Sequence, residues 1–372
     1  MAEHVFTGFG FGPIQGGLFA KEAFQSGNFK RIVIAEIDAE LVDAVKANKG
    51  SYYINVAKAD GIETIQIDDV ELLNPNVTAD RPILHEALRQ STEIVTSLPS
   101  VNFYETGGSE SIASLIADGL GISSAAATII YTAENNNHAA QILKQAVNEK
   151  MAAPTKNKVQ FLNTVIGKMS RVVTDNVEIA ELKLKTIAPG LGRAFLVEQF
   201  NRILVSRERI AGFRPGIEIF IEKDDLLPFE EAKLYGHNAI HSLLGFIGAV
   251  KGARTMTELK DDNLVMQIGR DAFLRESGAA LIKKYGDLGE ELFTEAGYED
   301  FADDLLERMT NPFLGDTIAR VTRDVVRKLE MDGRIFGTMQ LALEYGIEPR
   351  NMALGALAGI VVLMDKAKDY KL

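Results

Sequence analysis

The order of local signals along the chain constrains its fold most. β-rich runs alternate with helical patterns up to about residue 190, and from Phe229 onward nearly every segment is helical. The β-rich runs are His4–Phe9, Arg31–Glu36, Val101–Glu105, Ala127–Ala133 and Lys158–Thr164. Helical periodicity fits Gln15–Ser26, Ala39–Lys49, Ile83–Leu98, Ile112–Gly119 and Asn137–Lys150. Strands separated by helices pair in parallel through right-handed crossovers and build a doubly wound sheet. The expected fold is therefore α/β plus all-α, with an α/β domain over 1–190 and a multi-helical domain over 191–372.

The first strand runs directly into a glycine-rich turn, in the stretch VFTGFGFGPIQGGLF from Val5 to Phe19. Gly10 and Gly12 let the backbone turn sharply and approach a pyrophosphate, which free N–H groups at the following helix start can hold. Pro13 and Ile14 complete the turn, and Gln15 stands where a third fingerprint glycine is usual. The second strand, IVIAEID, ends on Glu36, where an acid accepts hydrogen bonds from the adenosine ribose. No arginine follows closely to pair with a 2′-phosphate, so NAD is expected rather than NADP. This is the pattern of a Rossmann-type domain. The plainer reading is that Glu36 and Asp38 only cap the next helix and that the glycines serve the turn alone.

The segment PFEEAKLYGHNAIHSLLG, Pro228 to Gly245, carries the second cluster. At about 100° per residue, Lys233 defines 0°, with His237 near 40°, Glu230 near 60°, His241 near 80° and Asn238 near 140°. Oxidising a secondary alcohol takes a base for the hydroxyl proton and donors for the developing alkoxide. A buried lysine with a lowered pKa is a metal-free base; Asn238 and His241 would orient the oxygen, and Glu230 would pass the proton outward. A solvated helix face is the competing reading, and His237 with His241 is a metal pair lacking an identifiable third ligand.

Composition removes other chemistries. With no cysteine, disulfides and thiolate zinc sites are excluded. No tyrosine has a lysine four residues later, so the tyrosine–lysine dehydrogenase mechanism is absent. A net charge of -12 argues against nucleic acid or anionic membrane as partner. No secretory signal is visible, and the apolar run Met352–Met364 falls short of the roughly 20 residues that cross a bilayer. A buried helix and a cytoplasmic location are expected.

With these residues in place, the chain resembles the polyol-specific long-chain dehydrogenases, the mannitol dehydrogenase family. The family's spacing of Lys, Asn and His is met by Lys233, Asn238 and His241, preceded by a similar PFEEAK. FLNTVIGKM, AEN at Glu134–Asn135, NPFLGDTIARVTRDVVRKL and LEYG resemble further family blocks. The resemblance implies a second oxyanion-holding amide at Asn163, a relay at Glu230, cofactor contacts at Glu134 and Asn135, and polyol contacts at Arg320 and Lys328. It also implies an active site between the two domains, hydride exchange with NAD, no metal, and a monomer or small homo-oligomer. Gln15 and Gly337 depart from the usual pattern, as do GGSES at 107–111 and ENNNHAA at 134–140.

Length favours a phosphorylated substrate, since the phosphate-using branch is about this short. On the helix expected after Pro312, Arg320, Arg323 and Arg327 recur at helical spacing with Lys328 beside the last, a set that would hold a phosphate dianion. Pairing of these arginines with Asp316 or Asp324 is the alternative. Oxidation of a hexitol 1-phosphate is the leading expectation. The same chemistry on a free polyol or sugar acid comes second, and a non-catalytic NAD-responsive binding protein third.

Overall fold

A computed structural model describes residues 4–369, and the chain divides into two compact units, Met1–Leu226 and Leu227–Leu372. Among the described residues the first holds twelve strands: β1 His4–Phe9, β2 Phe29–Ala35, β3 Tyr52–Ala57, β4 Ile62–Ile67, β5 Val70–Leu73, β6 Glu93–Thr96, β7 Ala127–Thr132, β8 Lys158–Ile166, β9 Ser170–Val173, β10 Ala194–Glu198, β11 Ile203–Ser206 and β12 Phe220–Lys223.

The main sheet has the order β12-β11-β8-β7-β6-β1-β2-β5. From β5 to β8 every neighbouring pair is parallel; β11 pairs antiparallel with β8, and β12 runs parallel to β11, so these two edge strands run opposite to the other six. The six parallel strands, taken in chain order, follow the doubly wound dinucleotide-binding arrangement, in which the order reverses beside β1. Ligands of such sheets bind outside the carboxyl ends of the strands at that reversal, which is where the glycine turn after β1 lies. A second sheet, β4-β3-β10-β9, packs into the same apolar core: Phe11, Tyr52, Ile54, Phe195 and Val197 belong to one cluster with Phe6, Leu18 and Ile34.

Two expectations change. Val101–Glu105 is not a strand; Val101–Tyr104 is a 3-10 turn, and the sheet position belongs to β6, inside the helix expected over Ile83–Leu98. That helix ends at Gln90, and after two further residues the run EIVT, Glu93–Thr96, is buried throughout. A short fully buried run carries no period to separate strand from helix. The change of architecture also comes later than residue 190. β10 pairs with β3 and β11 with β8, so the 194–223 segment completes the sheets of the first unit.

The second unit, Leu227–Leu372, is helical. Its longest helix, Arg350–Asp369, buries Met352, Ala356, Ala358 and Val362. Leu354, Leu357, Val361 and Met364 remain exposed, so this helix is apolar on both faces and buried on one.

Candidate active site

The glycine turn is tightly held at its start and open at Gly12. Gly10 takes a left-handed φ of +81°, and a Cβ there would come within 2.7 Å of the Ser97 carbonyl. A Cβ at Gly12 would meet nothing within 4 Å, so the turn faces open space at that point. Glu36 ties the turn to β2: its carboxylate accepts from the N–H of Phe11 at 2.6 Å, Ile37 at 2.7 Å and Asp38 at 2.9 Å. Asp38 caps the helix Ala39–Ala47 through the Leu41 N–H. Glu36 is therefore a brace for the turn as well as an acid at its rim. These residues fit a dinucleotide through the open space at Gly12 and the carboxylate of Glu36 beside it, while the N–H groups of Gly10 and Phe11 are taken by the Ala35 carbonyl and Glu36.

Gln15, in place of the third glycine, is fully buried, and neither amide atom has a hydrogen-bond partner. Its side chain occupies the space that a side chain on Gly8 would fill, since a Cβ on Gly8 would lie 1.7 Å from Gln15 Nε2. The substitution is accommodated on the strand rather than on the helix. The local sequence had no arginine near Glu36, but Arg193 reaches this rim from 155 residues away and pairs with Asp38 at 2.6 Å and Glu40 at 3.0 Å.

Two residues assigned by resemblance are engaged structurally. Glu134 is buried and accepts from Thr96 Oγ1 and the Leu98 N–H, both at 2.9 Å, and from the Tyr104 hydroxyl. Burial raises its pKa, against the pull of those donors. Asn135 beside it is exposed. Asn163, on β8, accepts from the Ala140 N–H at 2.8 Å and donates to Gln141 Oε1 at 3.0 Å, holding the start of the helix Ala139–Lys150.

In the helical unit, Lys233 and Asn238 lie on a π-helical segment, Ala232–Asn238, between the α-helical pieces Leu227–Glu231 and Ala239–Lys251. This corrects the helical wheel. A segment with i→i+5 bonding winds more residues into each turn than an α-helix, so Asn238 lies closer in azimuth to Lys233 than the roughly 140° an α-helix would give. Lys233 is half-buried. Burial first, and then the charge of Arg334, push its ammonium down to about 8, while Glu230 pulls the other way. His237 is buried, and burial followed by the neighbouring His241 and other cations drives its pKa well below the ordinary value.

His241 stands with Nε2 2.9 Å from Asp316 Oδ2. Asp316 is 1% exposed and also receives Arg320 on both oxygens, at 2.7 and 2.9 Å. Burial opposes its ionisation most, yet His241 and Arg320 together hold its carboxyl well below the usual range. A bridge between Thr255 and Thr317, with the Met256 N–H on the Asp316 carbonyl, fixes this carboxylate in place.

The expected arginine row is broken. Two short helices, Ile318–Val321 and Val325–Lys328, replace one, with Asp324 between them at a left-handed φ of +53°. Arg320 is committed to Asp316, while Arg323 and Arg327 are exposed. Lys328 is 5% exposed, donates to the Arg323 carbonyl, and is pushed down to about 8 by burial and then by Arg334. Arg334 was not singled out from sequence. No group of three or more potential metal ligands occurs among the described residues, and none of their helices is long and apolar enough to cross a membrane.

Residues 225–369 match the family model described as mannitol dehydrogenase C-terminal domain. Mannitol-1-phosphate 5-dehydrogenase of Buchnera aphidicola is 26% identical over 358 residues, covering 94% of this chain and 84% of that protein. The enzyme of the same name from Brevibacillus brevis is 26% identical over 354 residues, covering 95% and 84%. Among solved structures, Pseudomonas fluorescens mannitol 2-dehydrogenase, in a ternary complex with NAD and D-mannitol, shares the fold at a TM-score of 0.70 and 17% identity, over 97% of this chain and 79% of that one. A D-sorbitol dehydrogenase in substrate-free form does so at 0.76 and 15%, over 97% and 80%. A dinucleotide-type α/β unit followed by this helical domain defines an oxidoreductase of the two-domain dehydrogenase class. Within that class, residues 225–369 match the mannitol dehydrogenase C-terminal domain model, and the chain as a whole is similar to mannitol-1-phosphate 5-dehydrogenases at 26% identity.

Proposed function

We propose that the protein oxidises a hexitol phosphate of the mannitol 1-phosphate type to a ketose phosphate of the fructose 6-phosphate type, with NAD, with Lys233 as base and without a metal. The observation that carries the chemistry is the π turn that holds both Asn238 and a half-buried Lys233, whose ammonium is lowered to about 8. An amine poised there exists in both protonation states near neutrality, which a reversible proton transfer needs. Lys233 takes the hydroxyl proton, the Asn238 amide holds the oxygen, and His241 orients the hydroxyl while Asp316 fixes its ring. Glu230, close enough to raise the Lys233 pKa, is placed to pass the proton on. NAD, held at Gly10, Gly12 and Glu36, supplies the hydride acceptor.

The phosphate is supported by relatives named mannitol-1-phosphate 5-dehydrogenase and by the cations near Lys233. Oxidation of a free polyol is the second reading, favoured by the solved relatives that act on unphosphorylated polyols. Steady-state NAD reduction with mannitol 1-phosphate, mannitol, arabinitol and sorbitol separates them. At least tenfold higher kcat/KM for the phosphate is expected, and parity would discard the phosphate reading. A chelator should leave the rate unchanged. The cytoplasm is the proposed location.

A further inference from the structure

Arg334 is a half-buried charged group in the helical unit that the chemistry above leaves unexplained. Its Nη1 donates to Ser242 Oγ at 3.2 Å, and Ser242 donates in turn to the Asn238 carbonyl at 2.8 Å. The guanidinium is thereby anchored to the helix that carries Lys233, Asn238 and His241. A guanidinium has five N–H donors in a fixed fork. Among the described residues, Ser242 is the one side chain hydrogen-bonded to that fork, and no carboxylate lies within ion-pair distance of it. Arg320, by contrast, is spent on Asp316, Arg270 on Glu299 and Asp303, and Arg308 on Asp304.

Arg334 is also half-buried and has cations for neighbours. Burial first, and then Arg327, push its pKa down to about 10, with Asp324 opposing. It acts in turn on Lys233 and Lys328. A sheltered guanidinium beside two lysines, with no carboxylate of its own, is costly to keep. An anion arriving with the substrate offsets that cost, and a planar fork beside a compact ammonium matches a phosphate dianion.

We propose that Arg334, with Lys328, is the anion subsite of the substrate pocket and takes the phosphate of the polyol phosphate. This rests on the hexitol phosphate reading above and replaces the arginine row expected from sequence. The groove lined by Arg327, Glu330, Leu363 and Lys366 lies on the exposed side of the same segment and contains none of Lys233, Asn238 and His241.

The test uses the full-length enzyme with Arg334→Gln and Arg334→Lys, confirmed as folded by thermal melting and by NAD affinity equal to the parent. The readout is the ratio of kcat/KM for mannitol 1-phosphate to that for mannitol, together with inhibition of mannitol oxidation by inorganic phosphate. Arg334→Gln should lower the ratio at least 30-fold, mostly through KM, and should weaken phosphate inhibition at least tenfold. Arg334→Lys should recover part of both. An unchanged ratio in Arg334→Gln, with the parent still preferring the phosphate, would overturn the subsite and leave the function standing. Equal losses on both substrates would also overturn it, making Arg334 only a modulator of Lys233. If the parent shows no phosphate preference, the function fails; phosphate inhibition that depends on Arg334 would then still establish the anion subsite, and its absence would remove that as well.

Discussion

The half-buried His241 ring stands beside the buried Asp316, imidazole Nε2 to carboxylate Oδ2 at 2.9 Å, and the same carboxylate carries the fork of Arg320. One acid thus stands beside the ring proposed to orient the substrate and occupies Arg320, which the sequence resemblance implied for the polyol. Asp316→Asn should lower kcat roughly 10- to 100-fold, because part of an acid–base contribution is lost when its orienting partner goes. NAD affinity should be retained. Rapid-mixing kinetics with a parallel NAD titration checks this, and a kcat within twofold of the parent would separate the pair from turnover.

With Lys233 as the proposed base, its ammonium should set the pH dependence. With its pKa lowered to about 8, the neutral amine that oxidation needs accumulates as pH rises, so kcat/KM for oxidation should climb and level off above pH 8. The reverse reduction needs the ammonium and should fall over the same range. Lys233→Ala should lower turnover by several orders of magnitude with NAD binding almost unchanged. A full pH profile in both directions decides it; the same inflection in the alanine variant would assign it elsewhere.

Much of this was legible in sequence because the signals are local. The glycine turn, Glu36 and the Lys233–Asn238–His241 spacing are all contained in short runs, each reporting on one turn of backbone. What stayed hidden depends on partners distant in sequence or on missing ones. Arg193 meets Asp38 across 155 positions, and Gln15 is tolerated because Gly8 on the neighbouring strand leaves room. Asn163 and Glu134 matched family blocks, but their commitments to Ala140 and to Thr96, Leu98 and Tyr104 are products of packing. The π turn at Ala232–Asn238 has no compositional mark, so a wheel drawn at α spacing misplaced Asn238. Arg334 is defined by the carboxylate it lacks, which no pattern of residues announces.

The Gly8–Gln15 relationship gives a stability test. A methyl on Gly8 would sit 1.7 Å from Gln15 Nε2, and both positions are confined by the sheet and the helix that follows the turn. Gly8→Ala should destabilise the protein by about 1–3 kcal/mol, the usual cost of overpacking. In a Gln15→Gly background the penalty should shrink to below about 1 kcal/mol, since the space is vacated. A double-mutant cycle by urea unfolding measures the coupling. Additive effects would mean that the Gln15 amide swings clear without cost.

Glu93 makes the stability of the α/β unit depend on pH. It is fully buried at the start of β6, accepts from the Gly216 N–H at 2.5 Å and the Tyr131 hydroxyl at 3.2 Å, and has His4 Nδ1 3.5 Å away. Burial lifts its pKa from 4.5 to about 7, although those donors oppose the rise. The folded state therefore holds this proton over a range where the unfolded chain has released it. The stability tied to the proton is complete below pH 4.5 and is lost as pH rises through 7, amounting to on the order of 3 kcal/mol. Glu93→Gln cannot ionise and should flatten the dependence, so the parent should lose stability relative to the variant between pH 5 and 8. Denaturant melts of both proteins across that range provide the measurement; parallel curves would show that Glu93 is ionised in the native sheet at every pH tested.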